Sequence, residues 1–505
     1  LAVQLDKLSV GRISIGKAIY LQGAEASYRY NHTSHHLVIG NLQSPWSGNS
    51  GELTLRTAPP FSLSGKIEGG GELDGIYADG SILLSGDLEN TKIQAKLYNE
   101  NVSLNADAAI SPFENSLDKQ IGQVQIKGSG INLADFLPDA PRTDLNFDTT
   151  IIPSAEKGLA LEGSIDLANR KAGASDQNGI PVRNILSNFT VSDRGVLHIQ
   201  DGTVELLGKG RILIGGSADT QKDSLNLSAE LQNLALSDLS SLQYGDSING
   251  SIKLLGSYTR PQAVWALRGR HAKSNGEIIL DTDGKNGQRT INIIRADLLP
   301  ENGGSLNANG RIELFNRRRL QFAIDSRHFN PARLHTDFPA GDINGSIRLD
   351  GELEEQKFGG KLKLGGSTLS GVALAGSADL QYGNKHISRA AAEILLGRNR
   401  LKTSGSFGKA GDRLSIDIGA PDLDKFGFGL GGSLNAKGYM AGDPAKIEAN
   451  LAGSARGLRF RQAVNLRELD FKAILSPDYA KPLNLQLNGR ELVIPGSSPT
   501  RIDTI

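Results

Sequence analysis

Apolar and polar residues alternate along most of this chain. In "RLSIDIGA" (413–420), Leu414, Ile416 and Ile418 alternate with polar or charged partners, and in "LQFAID" (320–325) Leu320, Phe322 and Ile324 do the same. "KLKLGG" (361–366) places Leu362 and Leu364 on one side. Successive side chains of a strand point to opposite faces, so each segment has one oily and one wet side. Turn signals separate the segments: "DTDGKNG" (281–287), "PENGG" (300–304), "GKAGD" (408–412) and "AGDP" (441–444). Many short alternating runs between Gly/Asn/Asp turns predict an all-β, antiparallel meander. "SRAAAEILL" (388–396) holds good helix formers, but its counterpart "NIIRADLLP" (292–300) ends in proline after a β-branched run, and both are read as strands. Short helical turns are expected at "LADFL" (133–137) and "LSDLSSL" (236–242).

One nine-residue phrase returns five times: "LSGKIEGGG", "LEGSIDLAN", "INGSIKLLG", "INGSIRLDG" and "LGGSLNAKG". It starts at Leu63, Leu161, Ile248, Ile343 and Leu430, at spacings of 98, 87, 95 and 87 residues. A second marker, an alternating strand followed by a polar break and an apolar turn, recurs in "QVQIKGSGINLADFL" (123–137), "LNLSAELQNLALSDL" (225–239), "LQFAIDSRHFNPARL" (320–334) and "LSIDIGAPDLDKFGF" (414–428). A third recurs in "VELLGKG" (204–210), "DLLPENGGSLNANG" (297–310) and "EILLGRNRLKTSG" (393–405). The chain therefore reads as one continuous elongated body over 1–505, with approximate repeats 1–62, 63–160, 161–247, 248–342, 343–429 and 430–505. Each repeat has strands but no core of its own, so repeats must stack to extend one sheet. At about 15 residues per strand and turn there are about thirty strands, which at about 4.8 Å per step gives a length on the order of 150 Å.

The apolar face needs cover. A second sheet would bury it in a sandwich, whereas an open, curved, U-shaped sheet would leave an oily trough. Within the phrase, Ile248, Ile252 and Leu254 share a face with Gly250; Ile343, Ile347 and Leu349 share one with Gly345; Leu430 and Leu434 share one with Gly432. Leu63 and Ile67 do so with Gly65, and Leu161, Ile165 and Leu167 with Gly163. Glycine inside a strand marks bulges, bends and close backbone approach, so these five glycines are expected to bend the sheet at one place per repeat. The candidate lining of a trough is this apolar set together with Phe322, Ile324, Leu362, Leu364, Ile416 and Ile418. The competing reading packs the same residues against an opposing wall.

Composition narrows function. With 55 basic and 55 acidic residues the net charge is zero, against a whole-chain nucleic-acid binder. Glycine is abundant at 61 residues, and the absence of cysteine excludes disulfides and thiolate metal sites. The first residue is Leu1 and "TRIDTI" ends within an apparent strand, so the chain reads as an excerpt of a longer polypeptide. No apolar run is long enough for a membrane-spanning helix, and no signal peptide is visible. "GFGLGG" (427–432) fits the dinucleotide fingerprint formally, but a strand-like "SLNAKG" follows it where a helix is required. His35 and His36 are adjacent, hence on opposite faces of a strand, which is poor metal geometry. "NRRRL" (316–320) reads as a solvated basic turn or a head-group contact at a groove rim. Glu354 and Glu355 lie in a turn with nothing to pair them as acid and base, and the Asn-x-Ser/Thr triplets at Asn31, Asn101, Asn188, Asn226, Asn249 and Asn344 are what this composition produces by chance. No catalytic constellation, cofactor site or metal site is expected, and the chain is not read as an enzyme.

The segments "GGSLNANGRIELF" (303–315), "GGSLNAKGYM" (431–440) and "INGSIRLDGEL" (343–353) resemble the TamB family, within the AsmA-like superfamily and akin to the repeating β-groove bridge-like lipid-transfer proteins. The resemblance covers nearly the whole chain. It implies a U-shaped "β-taco" groove in a Gram-negative periplasm, in a protein anchored in the inner membrane through an N-terminal segment absent from this stretch. It implies phospholipid transport between the membranes, with acyl chains in the groove, and a link to outer-membrane protein and autotransporter assembly. The implied partner is an Omp85-type outer-membrane protein, TamA, met through regions outside this stretch. Two alternatives stand beside it: a chaperone or scaffold for barrel assembly with no lipid conduit, and a surface β-solenoid adhesin, whose coils of about 20 residues show no matching period here. With 5% aromatic residues the chain is poor in the girdles of an outer-membrane barrel.

Overall fold

The computed structural model describes residues 2–11, 13–15, 18–21, 23–43, 48–73, 76–135, 140–241, 247–284, 288–314, 317–335, 337–443, 446–460, 464–476, 484–494 and 500–504. The chain divides into two compact units, Leu1–Tyr258 and Thr259–Ile505. Both are all-β. In the first unit, antiparallel strands follow in sequence order from Val3–Val10 to Ser247–Gly256; in the second they run from Pro261–Arg268 to Thr500–Thr504. The hairpin Ile13–Ile15/Ala18–Leu21 forms a small sheet of its own, so Val3–Val10 pairs directly with Gly23–Tyr30. Neither sheet closes into a barrel, and among the described residues neither is stacked against a second large sheet.

Local sequence explains the strands and their ends. The alternating runs at 320–325, 361–366 and 413–420 lie within Arg319–Phe329, Lys357–Leu369 and Arg413–Ala420. Both ambiguous segments are strands, within Gln288–Pro300 and His386–Leu396. Two-residue turns at Ser370-Gly371 and Asn384-Lys385 have positive φ at both positions, the twist that suits a tight hairpin. The expected helical turns are short 3₁₀ turns, Leu133–Asp135 and Leu236–Asp238; residues 136, 137 and 242 of those expectations lie outside the described residues, as do 285–287 of "DTDGKNG", Asn316 of "NRRRL", Pro444 of "AGDP" and Ile505.

Because strands alternate in direction, their turns fall on two rims. All five described 3₁₀ turns, at Leu133–Asp135, Ser175–Gln177, Leu236–Asp238, Pro331–Arg333 and Leu423–Phe426, lie on one rim of their unit. Four of them follow the second marker, which sits in every sixth strand: Ile121–Ile131, Ser224–Ala235, Arg319–Phe329 and Arg413–Ala420. The next strand carries the recurring phrase at Ile248, Ile343 and Leu430, but the strand that follows Ile121–Ile131 is Leu145–Pro153, which lacks it. Leu63 and Leu161 instead lie in strands running opposite to Ser247–Gly256.

The 3₁₀ rim is also where packing is densest. Val102, Leu206, Phe329, Leu396, Ala420 and Leu423 are buried at or beside it. In the first unit two long turns join across it: Ser175 N–H donates to Leu239 O (2.9 Å), and Ser241 donates through both its backbone N–H (2.8 Å) and its hydroxyl to Asp176. Those bonds, the hydroxyl's first, hold the Asp176 carboxyl below its usual range. A carboxyl depressed by folding stabilises above its unfolded pKa and loses that contribution as pH falls through the folded value. Mild acid, from about pH 4 downward, is therefore expected to free this turn before the sheet melts, and Asp176→Asn to abolish the acid step; hydrogen exchange at Ser175 and Ser241 reads both.

Candidate functional site

The register of the strands assembles one apolar face in each unit. Directly paired residues share a face. In the first unit one ladder runs Leu53, Gly65, Leu84, Ile93, Ala108, Val124, Ile151, Gly163, Phe189 and Ile199. Beside it run Ile67, Ile82, Ala95, Ala106, Ile126, Thr149, Ile165, Ser187, Gly202, Ile214, Ala229 and Ile252. In the second unit a ladder passes through Ala308, Ile324, Ile347, Leu362, Ala378, Ala392, Thr403, Ile416, Gly438 and Leu451. The reverse face is charged and self-paired: Lys127 with Asp148 (2.9 Å), Arg348 with Asp325 (3.0 Å) and Arg456 with Asp470 (3.0 Å).

The nineteen apolar residues singled out from the sequence lie on these apolar faces. Leu63, Leu161, Leu167, Leu254, Phe322, Leu349, Leu364, Ile418 and Leu434 belong to rows parallel to those above. Ile248, Ile343 and Leu430 sit beyond a bulge, at the 3₁₀ rim, opposite Leu234, Phe329 and Phe460. Leu161 alone among the nineteen is buried, at 6% exposure; Leu349 and Ile248 are exposed, at 41% and 36%, and the others are half-buried. A sandwich interior would bury them all. The chain exposes 29904 Å² in total, where a compact monomer of its mass would expose about 18,000 Å² and two separate compact halves about 22,000 Å².

The five glycines do two different things. Beside Gly250, Gly345 and Gly432 the pairing register shifts because the neighbouring strand bulges: Gln232 and Asn233 face Asn249, Arg327 and His328 face Asn344, and Gly457 and Leu458 face Gly432, whose φ is 88°. Such a bulge bends its strand and increases local twist. The asparagine of the phrase completes it: Asn249 Oδ1 accepts the N–H of Asn233 (2.9 Å), and Asn344 Oδ1 that of His328 (2.8 Å). Both donors stand on positive-φ residues, at 51° and 49°. Asn344→Ala removes that acceptor and is expected to cost about 0.5–1.5 kcal/mol, measured by denaturant unfolding, with Asn344→Asp recovering part of it. Gly65 and Gly163 pair regularly and instead make room for Leu53 and Phe189.

That second role recurs beyond the phrase. Among the described residues, six aromatic residues lie directly opposite a glycine on the apolar face: Phe147 on Gly128, Phe189 on Gly163, Trp265 on Gly276, Phe322 on Gly310, Phe358 on Gly351 and Phe471 on Gly453. A Cβ at any of these glycines would fall within 2.0–2.8 Å of the facing ring, so each ring lies down over bare backbone. The result is a shallow oily floor with few projections.

The remaining polar features are structural. Arg317 reaches Glu355 (3.8 Å), Arg318 reaches Glu354 (3.0 Å) and Arg319 reaches Glu352 (2.8 Å), so the basic run and the acidic turn after it neutralise one another across neighbouring turns. His35 and His36 face opposite ways, to the Tyr28 hydroxyl (2.6 Å) and the Thr54 hydroxyl (2.9 Å). "GFGLGG" leads into the strand Leu430–Asp443. Among the described residues no group of three or more His, Asp or Glu side chains could hold a metal, and no helix is long and apolar enough to cross a membrane.

Comparison with known proteins adds one finding. Residues 271–503 match the profile of a family described as "TamB, N-terminal domain". No curated protein and no solved structure matches the chain.

Proposed function

We propose, from the premise that residues 271–503 make this a TamB-type protein, that its apolar faces shield phospholipid acyl chains on their way between the inner and outer membranes. On this reading the chain is a non-enzymatic component of outer-membrane assembly and works in the cell envelope, which the family match supports. The observation that carries the finer reading is the half-exposure of an apolar ladder through consecutive strands in each unit. Moving a methylene from water to an apolar surface is worth about 0.8 kcal/mol, so two acyl chains meet a large barrier in an aqueous gap. A floor repeated every strand, about 4.8 Å apart, divides that barrier into small steps between similar positions. The set is aliphatic and shallow, with rings lying flat on glycines, so no single position traps the cargo. The head group stays in water at the open side. On this reading an inner-membrane anchor and the surface that meets a TamA-type partner lie in other parts of the protein.

Native mass spectrometry of the purified chain tests the proposal. Several co-purifying phospholipids per chain are expected. A lipid-free mass from a folded protein that still supports barrel assembly would replace the conduit with the scaffold.

A further inference from the structure

The floor is not uniform. In the first unit, a depression of about 470 Å³ lies among Gly69, Gly80, Ala95 and Ala106, with Leu97 and Leu104 as its walls. The register makes it: Gly69 pairs with Gly80, Gly80 with Leu97 and Leu97 with Leu104, while Ala95 faces Ala106. At six floor glycines an aromatic ring fills the space above; above Gly80 none does, and a Cβ there would meet nothing closer than 3.4 Å. The depression opens toward the 3₁₀ rim, where Asp135 and Asn99 belong to its lining. Asp135 accepts from the Asn132 side chain (2.6 Å), and among the described residues no lysine or arginine pairs with it; Lys96 also lines the depression, with its backbone oxygen near Gly80 and its side chain at a reverse-face position between Ala95 and Leu97.

We infer that this depression is a resting site for one phospholipid of the ammonium-headed, phosphatidylethanolamine class. The inference rests on the acyl-shielding reading above and deepens it. An acyl chain occupies the space over Gly69 and Gly80, which the small floor side chains leave free. The head group lies at the rim, where the Asp135 carboxylate attracts an ammonium and repels a head group that carries only negative charge. The site thus gives a TamB-type floor a chemical preference that an unbroken aliphatic surface lacks.

The test uses vesicles of phosphatidylethanolamine or phosphatidylglycerol with a photoreactive acyl chain, and maps the label along the protein. Label is expected to concentrate on Thr91–Tyr98 and Ser103–Ile110, with phosphatidylethanolamine ahead by about tenfold. Gly80→Leu fills the depression where a Cβ is tolerated, and is expected to cut that label about tenfold while leaving label on the second unit unchanged. Asp135→Asn should keep the label and bring the two lipids to parity. Label spread evenly over the floor, or unaffected by Gly80→Leu, overturns the site; a phosphatidylethanolamine preference surviving Asp135→Asn overturns the head-group assignment. Absence of label from the apolar faces of both units would overturn the acyl-shielding reading itself, a result distinct from failure at this site alone.

Discussion

Ile252→Asp and Ile347→Asp are each expected to cut phospholipid transfer at least about tenfold while leaving the chain folded. Ile347 lies in register between Ile324 and Leu362, and Ile252 beside Ala229, in rows that the proposed acyl path crosses. A carboxylate there has to keep its water, and an acyl chain crossing it must remove that water or leave the surface. Stability changes less, because both positions are half-buried and the new charge still reaches solvent. Lost burial and strand propensity together come to about 1–2 kcal/mol. Charge added on the reverse face, as in Ser346→Asp, is the control and should leave transfer intact. Unfolding curves and vesicle-to-vesicle transfer separate the two effects. Full transfer in a folded Ile347→Asp variant would remove this row from the path.

Gly276→Val should raise an obstacle without adding a charge. Trp265 lies over Gly276, its Nε1 donating to Ser274 Oγ (3.1 Å), and a Cβ at Gly276 would stand 2.0 Å from its Cζ2. The ring must lift off the sheet into the path and release Ser274. Overpacking of this kind costs about 1–3 kcal/mol, and transfer is expected to fall severalfold with a shift in tryptophan emission. Trp265→Leu in the same chain frees the space, so the double variant should recover transfer. That recovery identifies the lifted ring, rather than a weakened sheet, as the obstacle.

Alternation alone made the strands and their apolar faces readable. It is a two-residue period, and in strands such as Arg413–Ala420 it survives intact, so Ile416 and Ile418 could be placed on a face before any strand was paired. What alternation does not contain is register. Trp265 and Gly276 are eleven positions apart, and only the hairpin between them turns that separation into a cross-strand pair. The pairings of Phe147, Phe189 and Phe471 are hidden in the sequence for the same reason; the signal for them is a glycine and an aromatic placed symmetrically about a turn. Register also separates the copies of the phrase. "INGSIKLLG" and "INGSIRLDG" hold a bulge closed with Asn249 and Asn344, whereas "LEGSIDLAN" lies in a strand of the opposite direction and has Glu162 where they have asparagine. The glycine common to all five therefore sits beside a neighbouring strand's bulge in some copies and lies beneath a side chain in others. Arg318 and Glu354 looked like separate solvated turns because thirty-five residues part them, yet the turns are neighbours on one rim.

The central claim is that acyl chains lie against the apolar face, and Trp265 is placed to report it. The chain has two tryptophans, and Trp46→Phe leaves Trp265 alone. The measurement is quenching of Trp265 emission by phospholipid brominated along its acyl chains, compared with the same lipid unbrominated. Strong quenching that saturates with bound lipid, and that Ile347→Asp reduces, is the result expected. Lipid bound in full amount with Trp265 emission unquenched would put the acyl chains elsewhere on the protein and contradict the account.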